Sequence, residues 1–341
     1  MIDSRPETGL LTVGQLFLDL VYAALPEAPT PGREIWTADF GLTPGGIANF
    51  AIVGARLGFP TRVVAAVGTD RQSALCLDLL AVEGIDLGGA VEVAGWSVPV
   101  TASLGWAGDR ALVTGGTPAP LTADELLAAG PPRAAVATAH LEPGGSRWLS
   151  AASAAGTRVF GDVGWDESGD WDTAILAQLS DCYAFLPNDL EAMAYTRADD
   201  ARAAACSLAE RVELSVVTMG AEGVIAVDSG TGEEVVRPTV RIRAVDSTGA
   251  GDVFGAALAV ATTAPWSLAE RVDFACLVAA VTVSRPGGAS AAPRLDELLP
   301  WLAVHQDAAA PGRYDFLRDA LAQGKPHPFT PTLAALPTPH D

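Results

Sequence analysis

The run best equipped for chemistry in this chain is Asp246-Ser247-Thr248-Gly249-Ala250-Gly251-Asp252-Val253-Phe254. A strand-like stretch with alternating arginines, Val240 to Val245, leads into it, and an apolar, Ala-rich helical stretch from Phe254 to Thr263 leaves it. A strand, a glycine-rich turn and a helix start aim free backbone N–H groups, and the positive end of a helix dipole, at an anion. Gly249 and Gly251 let that backbone come close to a ligand with no Cβ in the way. Asp252 is then a fixed negative charge where the donors converge. An anion site gains from such a charge only if it takes a proton. The matching reaction is deprotonation of a hydroxyl that attacks phosphorus. Taken alone, the loop also fits a tight turn whose Asp caps the next helix.

The elements needed to hold such a loop are legible as alternating strands and helices. Leu10–Leu16, Thr61–Val67, Val159–Val163, Tyr183–Leu186, Ser215–Thr218 and Val224–Val227 are short apolar runs of strand length. Asn49–Leu57 and Ser73–Glu83 carry helical spacing between Gly and Pro punctuation. Continuous apolar strands separated by helices imply a mostly parallel central sheet covered by helices on both faces, an α/β fold. Two segments, Arg33–Leu42 and Trp96–Thr114, alternate polar and apolar residues instead, with a hairpin-like turn at Ala107-Gly108-Asp109-Arg110. From Ala308 onward the Pro- and Ala-rich sequence is expected to be a loosely packed tail, 308–341.

Composition narrows the partners. With 341 residues, 49% of them hydrophobic, the chain can bury a large core in one domain, placed at 1–307. A formal net charge of −20 argues against nucleic acid or an anionic membrane as partner. No apolar run is long enough to span a bilayer and no signal-peptide pattern opens the chain, so a cytoplasmic protein is expected. Cys76, Cys182, Cys206 and Cys276 lie far apart in apolar settings, which predicts reduced, buried thiols. The four histidines show no metal-ligand spacing. Lys325 is the single lysine, so no Gly-x-x-x-x-Gly-Lys phosphate loop exists. Phosphate must be met by backbone N–H groups, arginine and a metal ion.

The 246–254 run resembles the C-terminal signature of the ribokinase, or PfkB, family of carbohydrate kinases, Asp-Thr-x-Gly-Ala-Gly-Asp-x-Phe, with Ser247 replacing Thr. Pro44-Gly45-Gly46-Ile47-Ala48-Asn49-Phe50-Ala51 is similar to the family's N-terminal Gly-Gly signature. Pro187-Asn188-Asp189-Leu190-Glu191 resembles its Asn-x-x-Glu element, and Thr218-Met219-Gly220-Ala221-Glu222-Gly223 its nucleotide-side turn. The resemblance covers roughly residues 10–300 and implies a three-layer ribokinase-like fold with a small β-sheet lid. Lid strands are expected at about 16–22, 33–42 and 96–114, with a homodimer formed through the lid.

The same resemblance implies ATP-dependent phosphorylation of a hydroxymethyl group on a small sugar. Asp252 would be the general base, with the N–H groups of Gly249, Ala250 and Gly251 as anion hole. Thr218, Gly220 and Gly223 would cradle the nucleotide. Asn188 and Glu191 share a face at a helix start and would hold Mg²⁺ through water; the alternative is a capping pair. Asp246 would border a monovalent-cation site (K⁺) completed near Ser284–Ser290. Asp19, Gly45, Gly46, Asn49 and Glu142 would meet the sugar.

Departures fall on the substrate side. Gln15 replaces an acidic residue, Ile47 stands where a Lys is frequent, and Gly68-Thr69-Asp70 replaces Gly-Asp-Asp. They leave open a ribose, fructose, nucleoside or ketodeoxy sugar-acid substrate. From another class, the alternative is a non-catalytic sugar- or nucleotide-binding protein, for which Asp252 would have no use. A dinucleotide-dependent oxidoreductase is excluded, because no Gly-x-Gly-x-x-Gly opens the first strand–helix unit.

Overall fold

The computed structural model describes residues 6–106, 109–164, 166, 168–322 and 325–332. Among them, thirteen strands form two sheets. The strands are β1 (Thr8–Val13), β2 (Leu16–Tyr22), β3 (Phe40–Gly46), β4 (Thr61–Val67), β5 (Asp86–Glu92), β6 (Val100–Trp106), β7 (Asp109–Gly115), β8 (Ala134–His140), β9 (Arg158–Asp162), β10 (Ala184–Phe185), β11 (Leu214–Thr218), β12 (Val224–Asp228) and β13 (Glu234–Arg237). The large sheet runs β13-β12-β11-β10-β9-β8-β1-β4-β5. Every pairing from β11 to β5 is parallel; at one edge β12 alone runs the opposite way, so its pairings with β11 and β13 are antiparallel. The fold is ribokinase-like α/β, with apolar clusters covering both faces of this sheet.

The order jumps from β8 to β1 in mid-sheet, a switch point that opens a crevice at the carboxyl ends of the strands. Gly14 and Gln15 after β1, His140 ending β8, Asp162 ending β9 and Thr218 ending β11 all lie at that edge. The helix Ala250–Ala261 packs between the helices Ile47–Arg56 and Leu268–Val283. Every residue from Val253 to Ala261 is buried. Small side chains at Ala256, Ala257, Ala259 and Ala261 allow that close approach, and the fixed helix in turn fixes the loop at its N-terminus. A Cβ on Gly249, whose φ is 69°, would enter left-handed backbone space and press on the Asn49 amide at 3.2 Å, so this cap is built for glycine.

Several expectations shift. The predicted strand Leu10–Leu16 is broken at Gly14 and Gln15, where the chain leaves the large sheet for the second one. That sheet, β3-β2-β6-β7, is the lid. Its third strand is Phe40–Gly46, not 33–42, because Arg33 to Ala38 pair with no strand and the chain runs directly into Gly45-Gly46. Trp96–Thr114 becomes the β6–β7 hairpin; Ala107 and Gly108 of its turn lie outside the described residues. Val240–Val245 is not a strand: Arg241 donates to Ala308 and Val245 to Val283, partners outside any sheet. The segment expected to be a loose tail packs into the core. Ala308, Tyr314, Leu317 and Phe329 are buried, with Phe329 edge-on to Trp266, Phe274 and Phe59. Aromatic area won over Pro-rich composition, since burying one such ring is worth about 1.5–3 kcal/mol. Residues 333–341 lie outside the described residues. Cys206 is exposed, against expectation, while the other three thiols are buried.

Candidate active site

The sheet edge and the helix Ala250–Ala261 bring the four sequence segments together. Asp252 lies in the first turn of that helix and accepts a hydrogen bond from Asn49 Nδ2 at 2.7 Å across 203 positions of chain. Asn49, expected on the sugar, therefore reaches the candidate base first. Burial pushes the Asp252 carboxyl up to about 6, against the lowering effects of the Asn49 amide and the Arg110 charge. Of the three expected anion-hole donors, the Ala250 N–H already donates to the Ser247 carbonyl at 3.2 Å.

Three cavities meet at this loop. An apolar one of about 300 Å³ is lined by Thr218, Gly220 and Gly223 on one side and by Ser247, Ala250 and Gly251 on the other. Val240, Ile242, Ala244, Ala279 and Ala280 close it. A second, of about 530 Å³, is lined by Gln15, Phe17, Gly46, His140, Glu142, Asp162 and Asp252. A third, a cleft of about 1240 Å³ between lid and body, is lined by Arg110, Arg241, Arg243 and Arg285 together with Ser247 and Thr248. The extended segment Val240–Val245 is a wall between two of them. Ile242 and Ala244 line both the apolar cavity and the cleft, whereas Arg241 and Arg243 line the cleft alone.

Asp19 sits on the lid strand β2 between Phe17, which lines the second cavity, and Val21, which lines the cleft. It does not itself line either. Its carboxylate rests where a Cβ on Gly45 would fall, so Gly45 is glycine to admit Asp19. Burial raises the Asp19 carboxyl to about 6, offset by a hydrogen bond from Thr101 and reinforced by the Asp252 charge. Gln15 Oε1 accepts from the Ala119 N–H at 2.9 Å, tying the β1–β2 turn to the loop that lines the second cavity. The Glu142 carbonyl accepts from Gln178 Nε2, and its side chain stands exposed at the cavity rim.

Asn188 and Glu191 form a reciprocal cap. Asn188 Oδ1 accepts from the Glu191 N–H and Glu191 Oε2 from the Asn188 N–H, each at 2.9 Å. The capping alternative is thus realised, which leaves the second Glu191 oxygen for other work. The same element is pinned to the nucleotide-side turn by the Thr218 N–H, donating to the Pro187 carbonyl at 3.2 Å. Burial raises the Glu191 carboxyl, with help from Asp189 and Asp252. Asp246 joins two loops: its oxygens accept from the N–H groups of Thr248, Gly287 and Gly288 at 2.9–3.1 Å.

Asp162, His140, Phe17 and Arg110 were not foreseen. Burial, then the Asp252 and Glu191 charges, hold the Asp162 carboxyl well above the usual carboxylate range. Burial lowers His140. Both end parallel strands, and scanning the carboxyl end of each apolar run would have found them. Phe17 lies two residues from Asp19 on the same strand face, an alternation the sequence already offered. Arg110 had no such local signal.

The model of the pfkB family of carbohydrate kinases matches residues 8–295. A ribokinase of Lactococcus lactis subsp. lactis is 32% identical over 83 residues, 24% of this chain, and the match spans only 27% of that relative's length. Among solved structures, a candidate ribokinase II from E. coli in complex with ATP and Mg²⁺ superimposes with a TM-score of 0.74, 19% identity, and 87% and 100% of the two chains covered. The aminoimidazole riboside kinase of Salmonella enterica, complexed with aminoimidazole riboside and an ATP analogue, gives 0.71 at 20% identity, covering 86% and 99%.

Proposed function

Given that the chain belongs to the pfkB family of carbohydrate kinases, we propose that it transfers the γ-phosphoryl group of ATP to a hydroxymethyl group of a small sugar. One observation carries this reading: a single loop serves two cavities. Gly251 faces the smaller, apolar one, and Asp252, the next residue, faces the one that Gln15, His140 and Asp162 also line. A nucleotide in the first and an alcohol in the second would meet at the loop itself.

In this mechanism Asp252 takes the proton of the acceptor hydroxyl as its oxygen attacks the γ-phosphorus. The bond from that phosphorus to the β–γ bridging oxygen breaks, and ADP leaves. A base titrating near 6 is ionised at neutral pH yet basic enough to accept the proton. The N–H groups of Gly249 and Gly251 face the transferring group, joined by that of Ala250 once it releases Ser247. Thr218, Gly220 and Gly223 hold the nucleotide, with its base against Ala279 and Ala280. Asn188 and Glu191 would hold Mg²⁺ through water. The fit is electrostatic: Asp162, Glu191 and Asp252 are crowded carboxyls whose burial a cation would offset. Bound Mg²⁺ would neutralise phosphate charge. Asp246, fixed by backbone donors beside Gly287 and Gly288, would border a K⁺ site.

Asp19, Gly45, Gly46, Asn49 and Glu142 would hold the sugar. A nucleoside is the second reading, favoured by the apolar wall of Phe17, Ile47, Phe50, Leu126 and Trp148 in the same cavity. The lid also has two faces. Asp19, Thr43, Thr101 and Thr114 share its polar face, while Leu20, Leu42, Ala102 and Val113 share the other. On that second face Leu42 and Val113 are 43% and 62% exposed, a patch suited to a second copy of the chain. No described helix is long and apolar enough to cross a membrane, and a cytoplasmic location fits this activity. The test is ADP release across a panel of pentoses, hexoses, ketodeoxy sugar acids and nucleosides with Mg²⁺. Acceptor-dependent turnover supports the reading; none with any acceptor overturns it.

A further inference from the structure

We infer that Arg110, on the lid strand β7, supplies the cationic side chain for the transferring phosphoryl group, so that the lid completes the catalytic site as well as covering it. The inference rests on the phosphoryl-transfer reading above. It begins from scarcity: the chain carries a net charge of −20 and a single lysine, Lys325, well past the loop in sequence. Charge developing on three phosphoryl oxygens calls for a cationic side chain beside the metal, and in this chain that side chain is an arginine.

Arg110 is placed for that role. Its Nη1 donates to Ser247 Oγ at 3.3 Å, two residues before Gly249, bridging lid and loop across 137 positions of chain. It lines the cleft that the Asp246–Thr248 segment also lines. Its charge reaches Asp252, where it lowers the carboxyl. Asn49 acts on Asp252 through its hydrogen bond, and the Asp252 charge in turn raises the carboxyls of Asp19, Asp162 and Glu191, which face it. Arg285, in the same cleft, is paired with Glu297 at 2.9 Å. Arg110 neither gives nor takes a proton. It would oppose negative charge on the equatorial oxygens while one P–O bond breaks toward ADP, another forms to the acceptor, and the acceptor's proton passes to Asp252.

Two measurements test it, one independent of turnover. In the free protein, ¹³C NMR of the aspartate carboxyls should show Asp252 titrating at higher pH in Arg110→Ala than in the wild type, since a neighbouring positive charge has gone. With an acceptor from the panel, kcat should fall about 10²-fold, the loss of one preorganised charge donor. ATP affinity should hold, and the acid limb of kcat/KM should move to higher pH. Arg110→Lys should recover part of kcat. Should Arg110→Ala fold poorly by circular dichroism, Arg110→Gln takes its place in both measurements. Unchanged kcat with an unmoved acid limb would overturn the inference. So would a rise in acceptor KM alone, matched by Ser247→Ala, the behaviour of a mere latch. An enzyme inactive on every acceptor would sink the kinase reading instead, and the NMR titration would still decide whether Arg110 acts on Asp252.

Discussion

The two cavities proposed for the nucleotide and for the acceptor share one loop yet are built by opposite means. The proposed nucleotide side faces its loop with two short runs, Thr218–Gly223 and Ser247–Gly251, of backbone and small side chains, and is closed by apolar residues of the 239–244 and 276–283 segments. The acceptor side is assembled from the ends of β1, β8 and β9, the strand β2, and a helix start, with polar and aromatic side chains. Backbone donors recognise what every phosphoryl donor has in common, so their geometry can be held in a few adjacent residues. Side chains choose among acceptors, and their positions depend on where distant strands end. The difference predicts that substitutions on the two sides will separate the kinetic constants of the two substrates.

Asp252→Asn attacks the point where the cavities meet and should have the largest effect. Turnover should drop by about 10²–10⁴-fold, the contribution of a positioned general base, while calorimetry shows nucleotide binding intact. Turnover within a few-fold of wild type would mean the loop binds anions without providing the base. Next comes Asp19→Ala, confined to the acceptor side. Leaving a sugar hydroxyl unpaired costs about 1–3 kcal/mol, or about 5- to 150-fold in acceptor KM. ATP affinity should stay put; the reverse pattern would exchange the two sides.

A smaller effect is expected from Glu191→Ala. If Glu191 serves the nucleotide side through Mg²⁺, the concentration needed for half-maximal rate rises several-fold. Loss of the Asn188 cap alone would cost about 1 kcal/mol and show only in the melting temperature. The smallest effect is on stability. The Asp252 carboxyl is raised in the folded protein to about 6 from an ordinary 3.8. Such a group favours folding below about pH 4, and that contribution is lost as pH rises through 6. Asp252→Asn should therefore raise Tm by a few degrees at pH 8 relative to wild type and leave little gain at pH 4. Equal shifts at both pH values would show that burial of this carboxyl is not what sets its titration.

The same contrast explains what the sequence disclosed. The signature loop, the Gly-Gly turn and the Thr218–Gly223 turn were legible because each is a continuous string whose glycines and carboxylates have local reasons. Asn49 was legible as a site residue, but its hydrogen bond to Asp252 was not, since nothing local joins positions 49 and 252. Asp162 and Arg110 reach the site through sheet order and lid closure, which periodicity does not encode. Val240–Val245 looked like a strand because its alternation is real. That alternation serves a partition between two cavities, and its backbone N–H groups go to Ala308 and Val283. The tail misled for the opposite reason: a few aromatics outweighed a disordered-looking composition.

That partition carries a consequence for the order of events. Ile242 and Ala244 line the cavity proposed for the nucleotide while Arg241 and Arg243 look into the lid cleft, so one strip of backbone borders both spaces. Were the two occupancies coupled through it, linkage would make each change the other's affinity by an identical factor. An enzyme wired in this way would grip its phosphoryl donor most firmly when the lid has something beneath it, and water would be the poorest competitor at the moment of transfer.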